Sequence, residues 1–468
     1  MVTKWDEIYN CIAKLARFVK TQAKKQDYIN FTSNEILPPD SFFCLDALVD
    51  KKLKGILYNE SGSILLNESN IIEAVKIIKL ATDELLERGN IHEILVFFQV
   101  LDKALANNIL KESWKEELGD SYYLNVNVDE TQIGILPYFH CGWELSSERI
   151  NRWHGINVFV DNYLIVDLSA LKNLQIINHY LDSNISLMNK KKIRVAVSPL
   201  WNWSNFRTEL EVENGSKVIN IFYNSNSTKE TDIIYRTIEK AAKEKVDILV
   251  FPEMHGNAEM KKILRSRMLR AKLDCPKLVV LPSYWNDGKN IASVIERRGF
   301  DVIEQGKRIA FIDKYGYHEN LKDYDELHVM HIRGLGRILV IICRDFLEVT
   351  EVEAVFNEIR PTLVLIPSFS TGFHDFDVVK GIGEAHECVM VWVNSCARSK
   401  EGDPIGFVDR AGHSYKMEEE RTQLFYPCNV DKDTRNSCQC CLDCDINICL
   451  YTADLINPKF VQGEDEYV

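Results

Sequence analysis

The stretch Arg337-Ile338-Leu339-Val340-Ile341-Ile342-Cys343-Arg344-Asp345 decides the reading of this chain. An apolar, mostly β-branched run precedes a cysteine, and two charges of opposite sign follow. The run is entered through Arg333-Gly334-Leu335-Gly336. It is too short for a helix and is marked off by glycines, so it predicts a buried strand. Cys343 then falls where that strand ends and the chain must turn. Parallel α/β sheets collect their reactive groups at the carboxyl ends of strands. A cysteine at the end of a strand is also compatible with an inert buried thiol, the commoner role of free Cys in a core.

Two further stretches bear on that choice. Val246-Asp247-Ile248-Leu249-Val250-Phe251-Pro252-Glu253 is a second apolar strand, closed by proline and ending in a carboxylate. Gly299 to Lys307 (GFDVIEQGK) reads as the return strand of a hairpin opened over Ile291–Glu296, and it delivers a lysine. A lone Glu or Lys is usually a solvated charge. A cysteine nucleophile, however, needs a base for its proton and a cation or N–H groups for the developing oxyanion. Glu253, Lys307 and Cys343 supply that set without a histidine. In such a set Lys307 and strand-end N–H groups are expected to favour the Cys343 thiolate and lower its pKa, with an ionised Glu253 opposing them.

DILVFPE around Glu253, GFDVIEQGK ending at Lys307 and ILVIICRDF around Cys343 resemble motifs of the nitrilase superfamily of carbon–nitrogen hydrolases. So do VLIPSFSTG (Val364–Gly372) and VMVWVNSC, which ends at Asn394-Ser395-Cys396. No single motif is specific; the signal is their order and spacing, over roughly Lys192 to Asn457. The resemblance implies an α-β-β-α sandwich, with two sheets packed face to face between helical layers. It implies Cys343 as nucleophile, Glu253 as general base, Lys307 as the cation beside the tetrahedral intermediate and the Arg344 backbone N–H as an oxyanion donor. Glu319, in Tyr317-His318-Glu319-Asn320-Leu321, is the candidate for the family's second glutamate, and Lys314 is the alternative catalytic lysine. The implied activity is hydrolysis of a non-peptide amide or related C–N bond through a thioester acyl-enzyme, with no cofactor required. The alternative is a nitrilase-like binding or assembly module, as found in bacterial antiviral defence systems associated with a reverse transcriptase. Relatives of this kind assemble into oligomers, so a homo-oligomer is expected.

Length and composition set bounds on the rest. At 468 residues the chain exceeds one typical domain. Residues 1–190 read as a separate, mainly helical α+β domain without family assignment, a candidate site for a protein partner, and 191–468 as the hydrolase-like domain. Trp5, Ile8, Tyr9, Ile12, Leu15, Ala16 and Val19 fall at helical spacing, and Ile71 to Arg88 repeats the pattern. Ile91 to Leu118 predicts one long helix or two, Tyr122 to Val128 a strand, and Gly155 to Val166 two short strands about Asp161-Asn162. His140, Cys141 and His154 lack partners at metal-ligand spacing and read as structural. Beyond Lys192, strand–helix alternation predicts an α/β fold, with Ser198 to Ser227 as a long loop region.

A net charge of -13 argues against general affinity for nucleic acid or an anionic membrane, since both require basic surface. No stretch has the apolar length of a membrane span and Met1–Asp6 lacks the layout of a signal peptide, so a cytoplasmic protein is expected. Six of the 13 cysteines crowd into residues 428–449, where Cys441-Leu442-Asp443-Cys444 has the CxxC spacing of tetrahedral zinc. Cys441 and Cys444 are therefore candidate ligands of a structural zinc; the alternative is unpaired thiols in a loop. A zinc site predicts about one equivalent of zinc per chain by elemental analysis, lost in a C441S/C444S variant.

Overall fold

The computed structural model describes residues 4–24, 27, 53, 55–59, 62–64, 66–67, 69–112, 132–138, 155–158, 160, 162–171, 174–181, 192–200, 206–213, 215–223, 228–273, 276–332, 334–386, 388–396, 403–409, 422–425 and 449–454. The zinc candidates Cys441 and Cys444, the strand expected at 122–128, and His140, Cys141 and His154 lie outside these residues. Contacts divide the chain into two units. One comprises Met1–Phe139 with Leu145–Lys172, the other His140–Glu144 with Asn173–Val468.

In the first unit the helical spacing of the sequence is realised as α1 (Lys4–Gln22), α2 (Ile71–Arg88) and α3 (Ile91–Glu112). A two-strand ladder, β1 (Tyr58–Asn59) with β2 (Gly62–Ser63), lies between the first two helices in sequence. Ile8, Ile12 and Val19 of α1 are fully buried in one cluster with Ile78 and Ala81 of α2 and Phe97, Phe98 and Leu101 of α3. β3 (Ile133–Pro137) pairs antiparallel with β4 (Tyr163–Asp167), and Ile133, Ile135, Tyr163 and Ile165 close the cluster. Of the two strands expected about Asp161-Asn162, the second forms as β4, but not as a hairpin with the segment before it. Residues 156–158 make a 3-10 turn and β4 finds its partner in β3. The Asn157 amide holds both the N–H and the C=O of Ile165, at 2.7 Å each, and the buried Asp102 carboxylate accepts from the Asn162 N–H at 2.7 Å. These side-chain bonds serve the backbone where a hairpin ladder would have done so.

The second unit runs β5 (Gln175–Tyr180), β6 (Lys192–Val197), β7 (Phe206–Glu213), β8 (Ser216–Tyr223), α4 (Thr228–Lys243), β9 (Ile248–Val250), α5 (Ala258–Ala271), β10 (Leu278–Val280), β11 (Tyr284–Asn286), β12 (Lys289–Glu296) and β13 (Asp301–Gly306). It continues with β14 (His318–Glu319), β15 (Glu326–Ile332), β16 (Gly336–Val340), α6 (Val349–Ile359), β17 (Leu363–Ser368), α7 (His374–Ala385), β18 (Val389–Asn394), β19 (Gly406–Asp409), β20 (Thr422–Phe425) and β21 (Cys449–Asp454). One seven-stranded sheet has the order β11-β12-β10-β9-β6-β21, with β13 also on β12. A second has the order β20-β19-β18-β17-β16-β15-β5, and a third, smaller sheet is β14-β8-β7. β6, β9 and β10 are mutually parallel, as are β16, β17 and β18, so each large sheet has a parallel centre with antiparallel flanks. β6 touches β18 and β13 touches β15, which brings the two large sheets into contact.

Local chemistry accounts for the helices beside these sheets. α4 buries Ile233, Ile234, Ile238 and Ala241 with Ala196, Leu249, Val279 and Ile295 of the first sheet and Met260, Leu264 and Met268 of α5. α5 is capped by Asn257, whose side chain accepts from the Met260 N–H at 2.8 Å. Arg337, at the start of the decisive strand, is fully buried and donates from Nε to the Ile359 and Arg360 carbonyls at 3.1 and 2.7 Å. It thus satisfies the orphan end of α6 with a cation, where the helix dipole favours one. Trp392 of β18 is enclosed by the rings of Phe373, Phe376 and Phe407. The loop expected over 198–227 contains the β7–β8 hairpin, and β7 lacks an apolar face to betray it because the described residues of its charged sequence, FRTELEVE, are mostly exposed on both faces. Among the described residues no helix is long and apolar enough to cross a membrane. Leu249→Ala, at a fully buried site in the α4–sheet cluster, is expected to lower stability by about 3 kcal/mol in urea unfolding. Val378→Ala, at a position 64% exposed on α7, should stay within about 0.5 kcal/mol.

Candidate active site

The strands that lead to Glu253 and Lys307 belong to the first large sheet and the strand that leads to Cys343 to the second, and their ends converge. β9 stops at Val250, and Phe251-Pro252 carries the chain to Glu253, whose N–H donates to the Ser368 carbonyl at the end of β17, 3.3 Å away. Met254 follows in the left-handed region at φ 71°, and its N–H is held by Ser283 Oγ at 2.9 Å. β13 stops at Gly306. A Cβ there would lie 2.6 Å from the Tyr324 ring, so only glycine lets the strand pass this close. The Lys307 N–H then donates to the Asn290 carbonyl at 2.8 Å. β16 ends at Val340, and the chain turns through a 3-10 segment, Cys343–Leu347. Cys343 takes φ 46°, a left-handed conformation that an L-residue rarely adopts and that clusters at functional sites.

The side chains meet in a buried set. Lys307 Nζ lies 3.0 Å from Glu253 Oε1 and 2.7 Å from Glu319 Oε2. The Cys343 thiol lies close enough to the Glu253 carboxylate and the Phe369 N–H for both to act on its ionisation. Asn290, fully buried on β12, donates from Nδ2 to Glu253 Oε1 at 2.8 Å. Glu319 is brought back across twelve residues by a short hairpin. Ile312 bridges His318, the Glu319 N–H donates to Phe311 O at 3.0 Å, and Glu319 Oε2 accepts from the Phe311 N–H at 2.9 Å. Lys314 is exposed at the tip of that hairpin, against the Tyr315 ring. The lysine gathered with the carboxylates is Lys307. Arg344 lies in the 3-10 turn, directly after the thiol, with its side chain exposed.

Burial dominates the electrostatics. It raises the Glu253 pKa, and the Glu319 charge adds to this, while Lys307 and the hydrogen bonds from Lys307 and Cys343 oppose it. Burial by itself would lower the Lys307 pKa, but the Glu253 and Glu319 charges more than offset it and hold the ammonium well above its usual value. For Cys343 the expected lowering is overturned: burial first and then Glu253 push the thiol up, and Lys307 and the Phe369 N–H do not compensate. The sulfur therefore rests as a thiol beside a carboxylate. A carboxylate beside a neutral thiol is the arrangement that general-base activation of a nucleophile requires.

The sequence did not single out Asn290, Phe369 or His255. His255, two residues beyond Glu253, is buried, meets Ser395 Oγ at 2.7 Å and packs edge-on against the Phe369 ring. A signal for Asn290 was present, an amide opening the apolar run Ile291–Ile295. Among the described residues no group of three or more His, Cys, Asp or Glu side chains could hold a metal ion.

No family model and no curated protein matches the chain. Among solved structures it is similar to an amidase from Nesterenkonia sp., at 14% identity over 48% of this chain and 85% of that one, with a TM-score of 0.35. A cysteine variant of the Nesterenkonia AN1 amidase, from the nitrilase superfamily, matches at 14% over 60% of this chain and 97% of that one, with a TM-score of 0.37. The C. elegans NitFhit protein matches at 15% over 59% and 63%, with a TM-score of 0.36. Each overlap spans roughly half of the chain, and at these scores it carries no argument.

The Asn290 bond favours the ionised Glu253, so its loss raises the Glu253 pKa and shrinks the fraction of ionised base at a given pH. In Asn290→Ala, the acid limb of the Cys343 alkylation rate, followed with iodoacetamide by peptide mapping, is expected to move to higher pH by about one unit.

Proposed function

We propose that the chain is a carbon–nitrogen hydrolase that cleaves a non-peptide amide or related C–N bond through a thioester on Cys343. The observation that carries the proposal is a buried Glu253 carboxylate shared by the Cys343 thiol and the Lys307 ammonium. In this reading the two large sheets form the α-β-β-α sandwich of the nitrilase superfamily; residues 191–468 are the catalytic domain, joined by β5, and the rest of residues 1–190 is an appended one.

The chemistry follows from the contacts. Glu253 takes the thiol proton as Cys343 sulfur attacks the carbonyl carbon. The carbonyl π electrons move onto oxygen, beside the Lys307 ammonium and the Arg344 N–H. Oriented donors of this kind are each worth about 10²–10³ in rate. Collapse of the tetrahedral species expels the nitrogen, which receives the proton held on Glu253. Water then attacks the thioester with Glu253 again as base, and the thiolate leaves and is reprotonated. Glu319 is not a proton carrier in this scheme; it anchors Lys307 as a second carboxylate partner.

The test is ammonia release from a panel of nitriles, primary amides and carbamoyl amines. Wild-type protein is expected to turn over at least one class, and C343A to fall to background with an unchanged melting curve. No release from any class, together with a Cys343 that resists alkylation in the folded protein, would sink the proposal.

A further inference from the structure

We propose that Asp345 is a positioning residue of this site, bracing the turn that carries Cys343 against the backbone that leaves Lys307; this rests on the hydrolase reading above. Asp345 lies two residues after the nucleophile and is only 7% exposed. Its Oδ1 accepts from the Ile309 N–H at 2.8 Å and the Arg308 N–H at 3.1 Å, and its Oδ2 accepts from the Arg308 N–H at 3.0 Å. No side-chain cation hydrogen-bonds it among the described residues. The Arg308 guanidinium is directed instead to Glu351, at 2.9 Å, and the Arg344 side chain is exposed.

Lys307 is thereby gripped on both sides of its own peptide. Its N–H is held by the Asn290 carbonyl at 2.8 Å, and the next two N–H groups are held by Asp345. On the other segment, the Asp345 N–H donates to the Ile342 carbonyl at 3.0 Å and closes the turn around the left-handed Cys343. One residue thus fixes the two backbone segments whose separation sets the reach of Lys307 Nζ to the thiol. A carboxylate is an expensive way to satisfy two N–H groups in a dry interior, and burial pushes its pKa up to about 7 in spite of those bonds. Its two acceptor oxygens and its charge near the Lys307 ammonium are what an uncharged cap would not supply.

The experiment uses the full chain with Asp345→Ala and Asp345→Asn. Two quantities are read: the rate constant of Cys343 alkylation by iodoacetamide, and turnover of the best amide per alkylatable Cys343. A misplaced lysine is expected to slow alkylation about tenfold in D345A, and to lower kcat per site about 100-fold with KM within about threefold. D345N keeps one oxygen where Oδ1 accepts both N–H groups, so it should fall between wild type and D345A. It also carries the comparison if D345A fails to fold. Fewer reactive sites with unchanged alkylation and turnover per site would mean a purely structural aspartate, and overturn the inference while leaving the hydrolase reading standing. A wild-type Cys343 that is not alkylated at all overturns both. A wild type that alkylates but releases no ammonia leaves the alkylation rates to decide the role of Asp345.

Discussion

The second unit depends on one buried cation. Lys307 sits between Glu253 and Glu319 with almost no exposure, and removing one partner of such a buried pair typically costs about 3–5 kcal/mol. Two distant stretches of chain are committed to one point: the end of β9, and the end of β13 with the β14 hairpin that follows it. A single ammonium cannot neutralise two carboxylates, and the surplus falls on Glu253, whose pKa is raised by burial and by Glu319. A carboxyl displaced upward in this way is a stronger base once ionised, which is the property a proton acceptor for a reluctant thiol requires.

That balance explains why the thiol differs from the low-pKa cysteine the sequence suggested. From the residue types alone, a lysine beside a cysteine favours a resting thiolate. In the folded chain dehydration penalises any charge on the sulfur, and a carboxylate beside it adds to that penalty. The proton is kept on sulfur and given a short path to Glu253. Sequence order could name the partners but not the sign of their sum, because that sign is set by distance and burial.

How much was legible follows the same physics. The strand ends carrying Glu253, Lys307 and Cys343 could be read because a short β-branched run that stops abruptly at a charge suits a buried strand and little else. Glu319 was named, but the route that returns it to Lys307 was not. β5 and β15 went unread because QIINHY and ELHVMHI bury histidine and asparagine where an apolar pattern is expected. Only the fold reveals that His179 and His328 satisfy each other at 2.8 Å, and that His331 meets Asn178 at the same distance. Asp345 stood in the first stretch quoted, yet its partners are backbone N–H groups, which leave no trace in residue identity.

The left-handed backbone at Cys343 has an evolutionary side. A non-glycine residue in that region costs on the order of 1–3 kcal/mol, and only glycine adopts it freely. The substitution that would most relax the fold at position 343 is thus one that deletes the sulfur. Stability and chemistry pull in opposite directions at this codon, so a lineage released from the need for catalysis would have a downhill path away from cysteine. Under the proposed chemistry, the cysteine in this strained turn carries a backbone cost that its sulfur has to justify.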